Sequence, residues 1–162
     1  MTYLNPVFHD GYDEFFKKCQ ETGVDGIIIP DCPYEESKEV SDICYKYDVD
    51  LISMIAPTSK ERTLEIAAQA KGFIYLVSSM GVTGMRSNIV TDIEGIVESI
   101  KTVTDTPVAV GFGINSPAQV KHFGNIADGV IVGSAIVNLI KEHGDRAHQP
   151  LFNYIQTLIK EL

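Results

Sequence analysis

Apolar residues occur along this chain in short continuous runs that are separated by longer amphipathic segments. The runs are rich in valine and isoleucine and do not alternate with polar residues, which is typical of parallel strands covered on both faces. We predict strands at residues 25–30, 50–56, 72–78, 107–111 and 128–133. Since a helical pattern follows each run after a short link, the sequence predicts a parallel α/β protein.

The segments between the runs carry apolar residues at helical spacing. Helices are predicted at residues 12–22, 34–47, 60–70, 91–104, 116–124, 134–143 and 149–161. At the front of the chain, Met1 to Tyr3 has the pattern of the tail of a further strand, and Asn5 to Gly11 is predicted to be a loop.

Three of these helices are preceded by side chains that commonly cap helix N-termini. Thr58 or Ser59 is predicted to cap the third helix, and Ser116, which is followed by a proline, is predicted to cap the fifth. Thr91 and Glu94 have the spacing of a capping box, which predicts that the fourth helix starts at Thr91.

The spacing of the strands limits the number of βα units that the chain can contain. The predicted strands begin about 26 residues apart on average, so five full βα units fit into the 162 residues. A complete barrel has eight units and typically about 250 residues. We therefore predict a single domain over residues 1–162 that forms the C-terminal portion of a TIM (β/α)₈ barrel. A doubly wound sheet of five strands is the alternative and would fit the length, although no G-x-G-x-x-G motif follows the first strand.

Charge and composition narrow the range of functions. A net charge of −9 argues against a nucleic-acid-binding protein, because such proteins present a basic patch. No apolar run approaches the roughly 20 residues of a membrane-spanning helix, and the N-terminus has no signal-peptide pattern. The three cysteines lack CxxC spacing and the four histidines are scattered. We therefore predict reduced thiols, no metal site and a cytoplasmic location.

Glycines at the ends of the later strands suggest a phosphate site. Gly111-Phe112-Gly113 lies between a strand and a helix start, and Gly133-Ser134 repeats the arrangement one unit later. Backbone N–H groups and the helix dipole can hold phosphate at such positions, and many barrels bind phosphate after their last two strands. Ser134 is predicted both to cap its helix and to bond the phosphate. Each loop taken alone is also explained by a tight turn.

Aromatic and aliphatic residues on the strands are candidates for a substrate pocket. The hydroxyls of Tyr3 and Tyr75 can hydrogen-bond a substrate, and Ile28 and Ile131 can wall a flat apolar ligand, although ordinary core packing explains each of them as well. Asp31 is the one carboxylate placed at a strand end, so we consider a general-base role, with helix capping or loop bonding as the favoured alternative.

The series of motifs resembles the tryptophan synthase alpha subunit family over nearly the whole chain. The resemblance is carried by MTYLNPVF, GVDGIIIPD, IAPTS, GFIYLVSSMGVTG, GFGINSP and DGVIVGSAIV. It implies a (β/α)₈ barrel lyase of L-tryptophan biosynthesis that splits indole-3-glycerol phosphate into indole and glyceraldehyde 3-phosphate. It also implies a beta subunit as partner, which carries pyridoxal phosphate and receives the indole, and no cofactor in this chain.

The resemblance also assigns roles to individual residues. The positions that match the phosphate-binding ones are Gly84, Phe112, Gly113, Gly133 and Ser134. The positions that match the indole pocket are Tyr3, Ile28, Phe73, Tyr75 and Ile131. Thr83 matches the threonine of a closing loop that orders the catalytic aspartate, and Asp31 matches a strand-end aspartate near the subunit interface. The loop at residues 80–89 is expected to be mobile without ligand.

Two departures from the family pattern change the expectation for activity. Ser79 stands where many members carry an arginine. The catalytic glutamate and aspartate of the family lie in the second βα unit, which has no counterpart in this chain, so we predict that the chain is inactive alone and self-associates through open sheet edges. The alternatives are another phosphate-binding barrel isomerase or epimerase, against which the GVTG loop and Tyr75 argue, and a non-catalytic half-barrel.

Overall fold

The computed structural model describes residues 1–57, 59–78 and 92–162 and alternates parallel strands with helices. Its first elements are α1 (Leu4–Asp10), α2 (Tyr12–Glu21), β1 (Gly26–Ile27), α3 (Ser37–Lys46), β2 (Asp50–Leu51), β3 (Ser53–Ile55) and α4 (Lys60–Gln69). They are followed by β4 (Ile74–Val77), α5 (Ile93–Lys101), β5 (Val108–Gly111), α6 (Pro117–Gly124), β6 (Gly129–Ile131), α7 (Ser134–His143), a 3₁₀ turn (Gly144–Arg146) and α8 (His148–Ile159). The five predicted strands and the seven predicted helices are confirmed, most with shorter bounds, whereas α7 has the predicted bounds and α8 begins one residue earlier than predicted. The strand predicted at 50–56 is divided into β2 and β3, and Met1 to Tyr3, predicted as the tail of a further strand, has no regular secondary structure.

The strands pair in the order in which they occur along the chain. β1 pairs with β2, and β3, β4, β5 and β6 form a second parallel array in that sequence. A doubly wound sheet reverses its strand order at a switch point, whereas the wall of a barrel does not. The described strands therefore have the order of a partial barrel and not that of the doubly wound alternative.

The main hydrophobic core lies between this sheet and the helices. Ile74 and Leu76 of β4 and Val108 and Val110 of β5 are fully buried in it, together with residues from α4, α5 and α6. Successive residues of a strand point to opposite faces, so Tyr75 and its neighbours of the same parity lie on the other face. That second face corresponds to the inside of a barrel wall.

A second core packs α1, α2 and α3 against β1. Val7, Phe16 and Cys44 are completely buried in it. Burial raises the pKa of the Cys44 thiol to about 12, so the thiol stays protonated and behaves as a small apolar residue. The cysteines are free thiols in the structure.

The segment from Asn5 to Gly11, predicted to be a loop, is instead the helix α1, so that prediction was wrong. Its start is capped from a distance, because the N–H of Leu4 donates to the carboxylate of Asp31 over 2.8 Å. Val7 anchors its inner side in the core, and Gly11, at φ +85°, ends it and turns the chain into α2. The cap lies 27 residues away in sequence, so no local capping signal precedes this helix.

Asp31 therefore has the capping role that the sequence favoured over general-base chemistry. Just before α1, the N–H of Thr2 donates to the carbonyl of Ile28 at 3.0 Å, which places the Met1–Tyr3 segment beside β1. Together the two bonds fix the front of the chain to the end of the first strand.

Replacing Asp31 with alanine is expected to lower the free energy of unfolding by about 1 kcal/mol, the usual loss when a capping side chain is removed. Asp31→Asn keeps an oxygen that can accept from Leu4, so it should lose less than half of that amount. Urea denaturation of both variants and the parent measures the difference. If the alanine variant matched the parent, α1 would not depend on this cap.

The other predicted caps are partly confirmed. Ser59 caps α4, and Ser116 forms a capping box with Gln119 at the start of α6. The cap of α5 is Asp92, whose carboxylate accepts the N–H of Gly95 at 2.9 Å, so the helix starts later than the capping box predicted. Aspartate is among the strongest capping residues, which explains the shift. Thr58 and Thr91 lie outside the described residues.

Candidate functional site

The predicted phosphate loops follow β5 and β6, at the carboxyl edge of the sheet. This edge carries the active site in barrel enzymes, because the βα loops gather there. Phe112 and Gly113 follow β5 directly, and Gly133 follows β6 after Val132. β5 and β6 are adjacent in register, so the two loops are neighbours.

The loop after β5 is held in an unusual conformation. Phe112 has φ +86° and Gly113 has φ +77°. A positive φ is costly for a residue with a side chain, so it persists only where other bonds impose it. The hydroxyl of Ser78 donates to the carbonyl of Phe112 at 2.5 Å, and the N–H of Ser78 donates to the carbonyl of Gly111 at 2.8 Å. These bonds fix the loop to the end of β4 and leave the Phe112 side chain half exposed.

The N-terminus of α6, which the loop after β5 reaches, satisfies its own donors. The hydroxyl of Ser116 accepts the N–H of Gln119, and the side-chain oxygen of Gln119 accepts the N–H groups of Asn115 and Ser116 at 3.0 and 3.2 Å. An anion bound at this end would therefore be stabilised by the helix dipole but would accept few hydrogen bonds from free N–H groups.

The N-terminus of α7 is different. Its capping position is Gly133, which has no side chain to offer, and no side-chain cap is formed. The prediction that Ser134 caps the helix was wrong, because Ser134 is already the first helical residue. Among the described residues, the N–H groups of Ser134, Ala135 and Ile136 meet no acceptor. The first turn of α7 thus presents three donors together with the positive end of its dipole.

The structure brings the two loops together. Gly113 and Ser134 line one cavity of about 380 Å³, whose other walls include Asn138 of α7 and Tyr154 of α8. The hydroxyl of Tyr154 donates to the carbonyl of Asn115 at 2.9 Å and so ties α8 to the loop. No signal in the sequence indicated this contact.

The charge in this cavity is uneven along α7. Glu142 also lines it, eight residues beyond Ser134, which is about 12 Å along a helix. A carboxylate repels an anion, so an anion would be favoured at the Ser134 end and disfavoured at the Glu142 end.

Tyr75 forms the centre of the predicted substrate wall. It is 8% exposed, and a Cβ atom added at Gly111 would overlap its ring and hydroxyl. A glycine is therefore needed at position 111 to make room for the phenol. Burial raises the pKa of Tyr75, so its hydroxyl stays protonated and can donate a hydrogen bond.

Three further predicted wall residues have the parity of this inner face. Ile131 is the register partner of Gly111, which pairs with Val77, so Ile131 lies on the same face as Tyr75 but two residues further along the strands. Phe73 lies two residues before Tyr75. Ile28 is half-buried and follows β1, where Ile27 and Ile29 point into the helix-side core. Phe73, Tyr75 and Ile131 are thus grouped on the β4–β6 part of the wall, whereas Ile28 lies on another part.

Tyr3 is not brought to this group. It is 66% exposed and precedes α1 beside β1, at the opposite end of the strand order from β6. Thr83, Gly84 and Ser79, with the loop at 80–89 that was predicted to be mobile, lie outside the described residues.

The described residues contain no group of three or more His, Cys, Asp or Glu side chains that could hold a metal ion. Within the same part of the chain, no helix has the length and apolar character needed to cross a membrane.

Comparison with known proteins gives consistent matches. The model of the family described as "Tryptophan synthase alpha chain" matches residues 1–161. The tryptophan synthase alpha chain of Lacticaseibacillus casei is 48% identical over 147 residues, which cover 91% of this chain and 55% of that protein. The corresponding protein of Lactiplantibacillus plantarum is 51% identical over 144 residues, 88% of this chain and 54% of the relative. This chain therefore spans about half the length of the curated relatives that it matches.

Solved structures of tryptophan synthase are also similar to this chain. The tryptophan synthase a2b2 complex from Pyrococcus furiosus contains a chain that is similar with a TM-score of 0.85 and 34% identity, over 99% of this chain and 65% of that one. Tryptophan synthase subunit alpha from Campylobacter jejuni is similar with a TM-score of 0.75 and 38% identity, over 86% of this chain and 56% of that one.

Proposed function

This chain belongs to the tryptophan synthase alpha chain family, and we propose that it contributes the phosphate anchor and part of the indole pocket to the cleavage of indole-3-glycerol phosphate into indole and glyceraldehyde 3-phosphate. The observation that most strongly supports this is the uncapped first turn of α7, where Ser134 and Ala135 line one cavity with Gly113 of the loop after β5. The carbon–carbon lyase activity belongs to the family.

The phosphate would bind at the Ser134 end of this cavity. The free N–H groups of α7 supply donors, the dipole supplies a favourable field, and no lysine is needed. Gly133, without a side chain, leaves these donors open, and Gly113, with Phe112 before it, comes from the neighbouring loop. Gly84 is the fifth proposed phosphate contact and comes from the family pattern.

The indole ring would lie against the inner face of β4 to β6. Phe73, Tyr75 and Ile131 offer a wall of aromatic and aliphatic carbon, and the protonated hydroxyl of Tyr75 offers a donor to the substrate. Ile28 and Tyr3 belong to the proposed pocket by family position. They would reach the same ligand only from the β1 side of a closed barrel.

The acid–base groups are proposed to come from outside these 162 residues. In the family's reaction a carboxylic acid protonates C3 of the indole and a carboxylate removes the indole N–H proton. No position of this chain matches those two carboxylates, so its proposed share in the reaction is to bind and orient the substrate. Thr83 is the supporting residue that the family pattern assigns to the closing loop.

We propose a beta subunit as the partner, since the Pyrococcus furiosus relative is found in an a2b2 complex. Pyridoxal phosphate would belong to that partner, and the chain itself would need no cofactor. A cytoplasmic location is proposed from the unpaired cysteines. The match to alpha chains at 48–51% identity favours this function over a barrel isomerase or epimerase.

The anchor is tested by titrating glycerol 3-phosphate into the chain while amide resonances are followed by NMR. The amides of residues 113 and 133–136 are expected to shift together. Gly133→Asp should weaken binding at least about tenfold, because its carboxylate caps the donors of α7 and repels the ligand.

Gly133→Asn is the matched control, since it offers a similar cap without the charge and should weaken binding less. Both variants should be at least as stable as the parent, so lost binding would not reflect unfolding. Shifts confined to other residues, or equal affinity of the aspartate variant and the parent, would contradict the assignment.

A further inference from the structure

A cavity of about 590 Å³ opens between α3 and α4 and reaches the strands β2 and β3. α3 packs closely on α2, and α4 packs closely on α5, but α3 and α4 stand apart. The cavity lies within the size range of small-molecule sites. It shares no lining residue with the proposed phosphate cavity.

The floor of this α3–α4 cleft is apolar. Its floor residues are Ile29, Leu51, Ile52, Met54 and Ile66. Leu51 and Met54 belong to β2 and β3, and Ile66 belongs to α4. Ile29 and Ile52 come from the segments that follow β1 and β2. Covering such a surface with an apolar group of a ligand is favourable by roughly 25 cal/mol per Å² removed from water.

The width of the cleft is set by two side-chain bridges. The guanidinium of Arg62 donates to both carboxylate oxygens of Glu35 at 2.5 and 3.0 Å, and the amide of Gln69 donates to the hydroxyl of Tyr34 at 2.6 Å. Both connect the segment before α3 to α4. The hydrogen bonds from Arg62 lower the pKa of Glu35, and its charge is matched by the guanidinium.

Charged side chains of both signs lie at the mouth of the cleft, and none of them is in an ion pair within the described residues. Lys38 and Asp42 lie one turn apart on α3, and Lys71, which follows α4, has its ammonium 3.6 Å from the ring centre of Tyr45 on α3. Among the described residues, none of these three charged groups has an ion-pair partner within 4.0 Å. The cleft therefore combines an apolar floor with two cations and one anion at its rim.

We propose that the α3–α4 cleft binds a free α-amino acid with a large apolar or aromatic side chain. The side chain covers the floor, the carboxylate meets Lys38 and Lys71, and the ammonium meets Asp42. A purely apolar ligand leaves the rim unused, and a simple anion meets the repulsion of Asp42. The rim is exposed to water, so its ionic contacts are weak individually and the affinity falls near the millimolar range.

The test is a calorimetric titration of the full chain with L-phenylalanine and L-leucine. Saturable binding at about 1 mM is expected for both. N-acetyl-L-phenylalanine lacks the ammonium and L-phenylalaninamide lacks the carboxylate, so each should bind at least tenfold more weakly. Absence of binding to the folded chain at concentrations ten times higher, or equal binding of the N-acetyl compound, would overturn the proposal.

Cys32 gives an independent readout of position. It lines the cleft and is partly exposed, whereas Cys19 and Cys44 are buried. Bound L-phenylalanine should slow the alkylation of Cys32, as measured by mass spectrometry of the digested protein. Unchanged alkylation at saturating amino acid would show that the ligand binds elsewhere and would overturn the placement.

Single substitutions test whether the amino acid binds in the cleft or elsewhere on the surface. Ser41→Trp fills the cavity from α3 and should abolish binding, and Lys38→Ala should weaken it several-fold. Lys60→Ala changes an exposed lysine on α4 that does not line the cleft and should bind as the parent does. If Ser41→Trp does not fold, the affinities of Lys38→Ala and Lys60→Ala for the amino acid provide the test. Equal affinity of these two variants would contradict binding in the cleft.

Discussion

The 162-residue chain on its own is expected to cleave indole-3-glycerol phosphate more than about 10²-fold more slowly than the complete alpha chain of Lacticaseibacillus casei. General acid–base groups typically contribute about 10²–10⁴-fold each, and we propose that the two catalytic carboxylates come from outside these residues. A rate assay that detects released indole measures the difference, with the L. casei protein as the positive control. Turnover within tenfold of that control would contradict the assignment of the chemistry to groups outside these residues.

The same experiment separates binding from chemistry. The proposed α7 anchor and the proposed Tyr75 wall lie within the described residues, so ligand binding can survive where turnover does not. A chain that binds glycerol 3-phosphate and does not release indole would fit the proposed division of roles. A chain that does neither would leave the family membership intact but remove the proposed anchor.

The strands and most helices were predictable because their signals are local. Continuous valine- and isoleucine-rich runs mark buried parallel strands, and Ser59 and Ser116 precede their helices at capping distance. The helix α1 was missed because its cap, Asp31, comes from a residue that is distant in sequence. A pattern read within a short window contains no information about such a bond.

In the candidate site too, some features follow from local sequence and others depend on residues that are distant in sequence. Glycines after β5 and β6 mark the proposed phosphate loops in the sequence, but the positive φ of Phe112 depends on the hydroxyl of Ser78, which follows β4. The need for glycine at position 111 follows from the packing of Tyr75, which only the register reveals. The difference between the self-capped α6 and the open α7 lies in hydrogen bonds made by Gln119, because Ser116 and Ser134 look alike in sequence.

The surface of α7 and α8 carries a large apolar area. No residue of α7 is buried, and the exposed apolar side chains of the two helices are Val137, Ile140, Phe152, Ile155 and Ile159. Close by in the chain, β6 has β5 as its neighbour, and no other described strand pairs with it. Monomeric proteins rarely leave such patches and strand edges uncovered.

We therefore expect the chain to self-associate at micromolar concentration, with the α7–α8 surface buried between copies. Light scattering coupled to size-exclusion chromatography should give a mass above that of the 17.8 kDa monomer. Phe152→Glu, combined with Ile155→Glu, should shift the protein to the monomer, because burying a charge without a partner is strongly unfavourable.

Val103→Glu is the matched control for this pair. Val103 is 42% exposed, comparable to Ile155 at 38%, but it follows α5 and lies on neither α7 nor α8. It should leave the mass of the assembly unchanged, since its added glutamate, one charge against the two of the double variant, lies away from the surface. If the parent were a monomer, the exposed area would not drive association. If the control dissociated as readily as the double variant, the effect would come from net charge, which is already −9, and not from the α7–α8 surface.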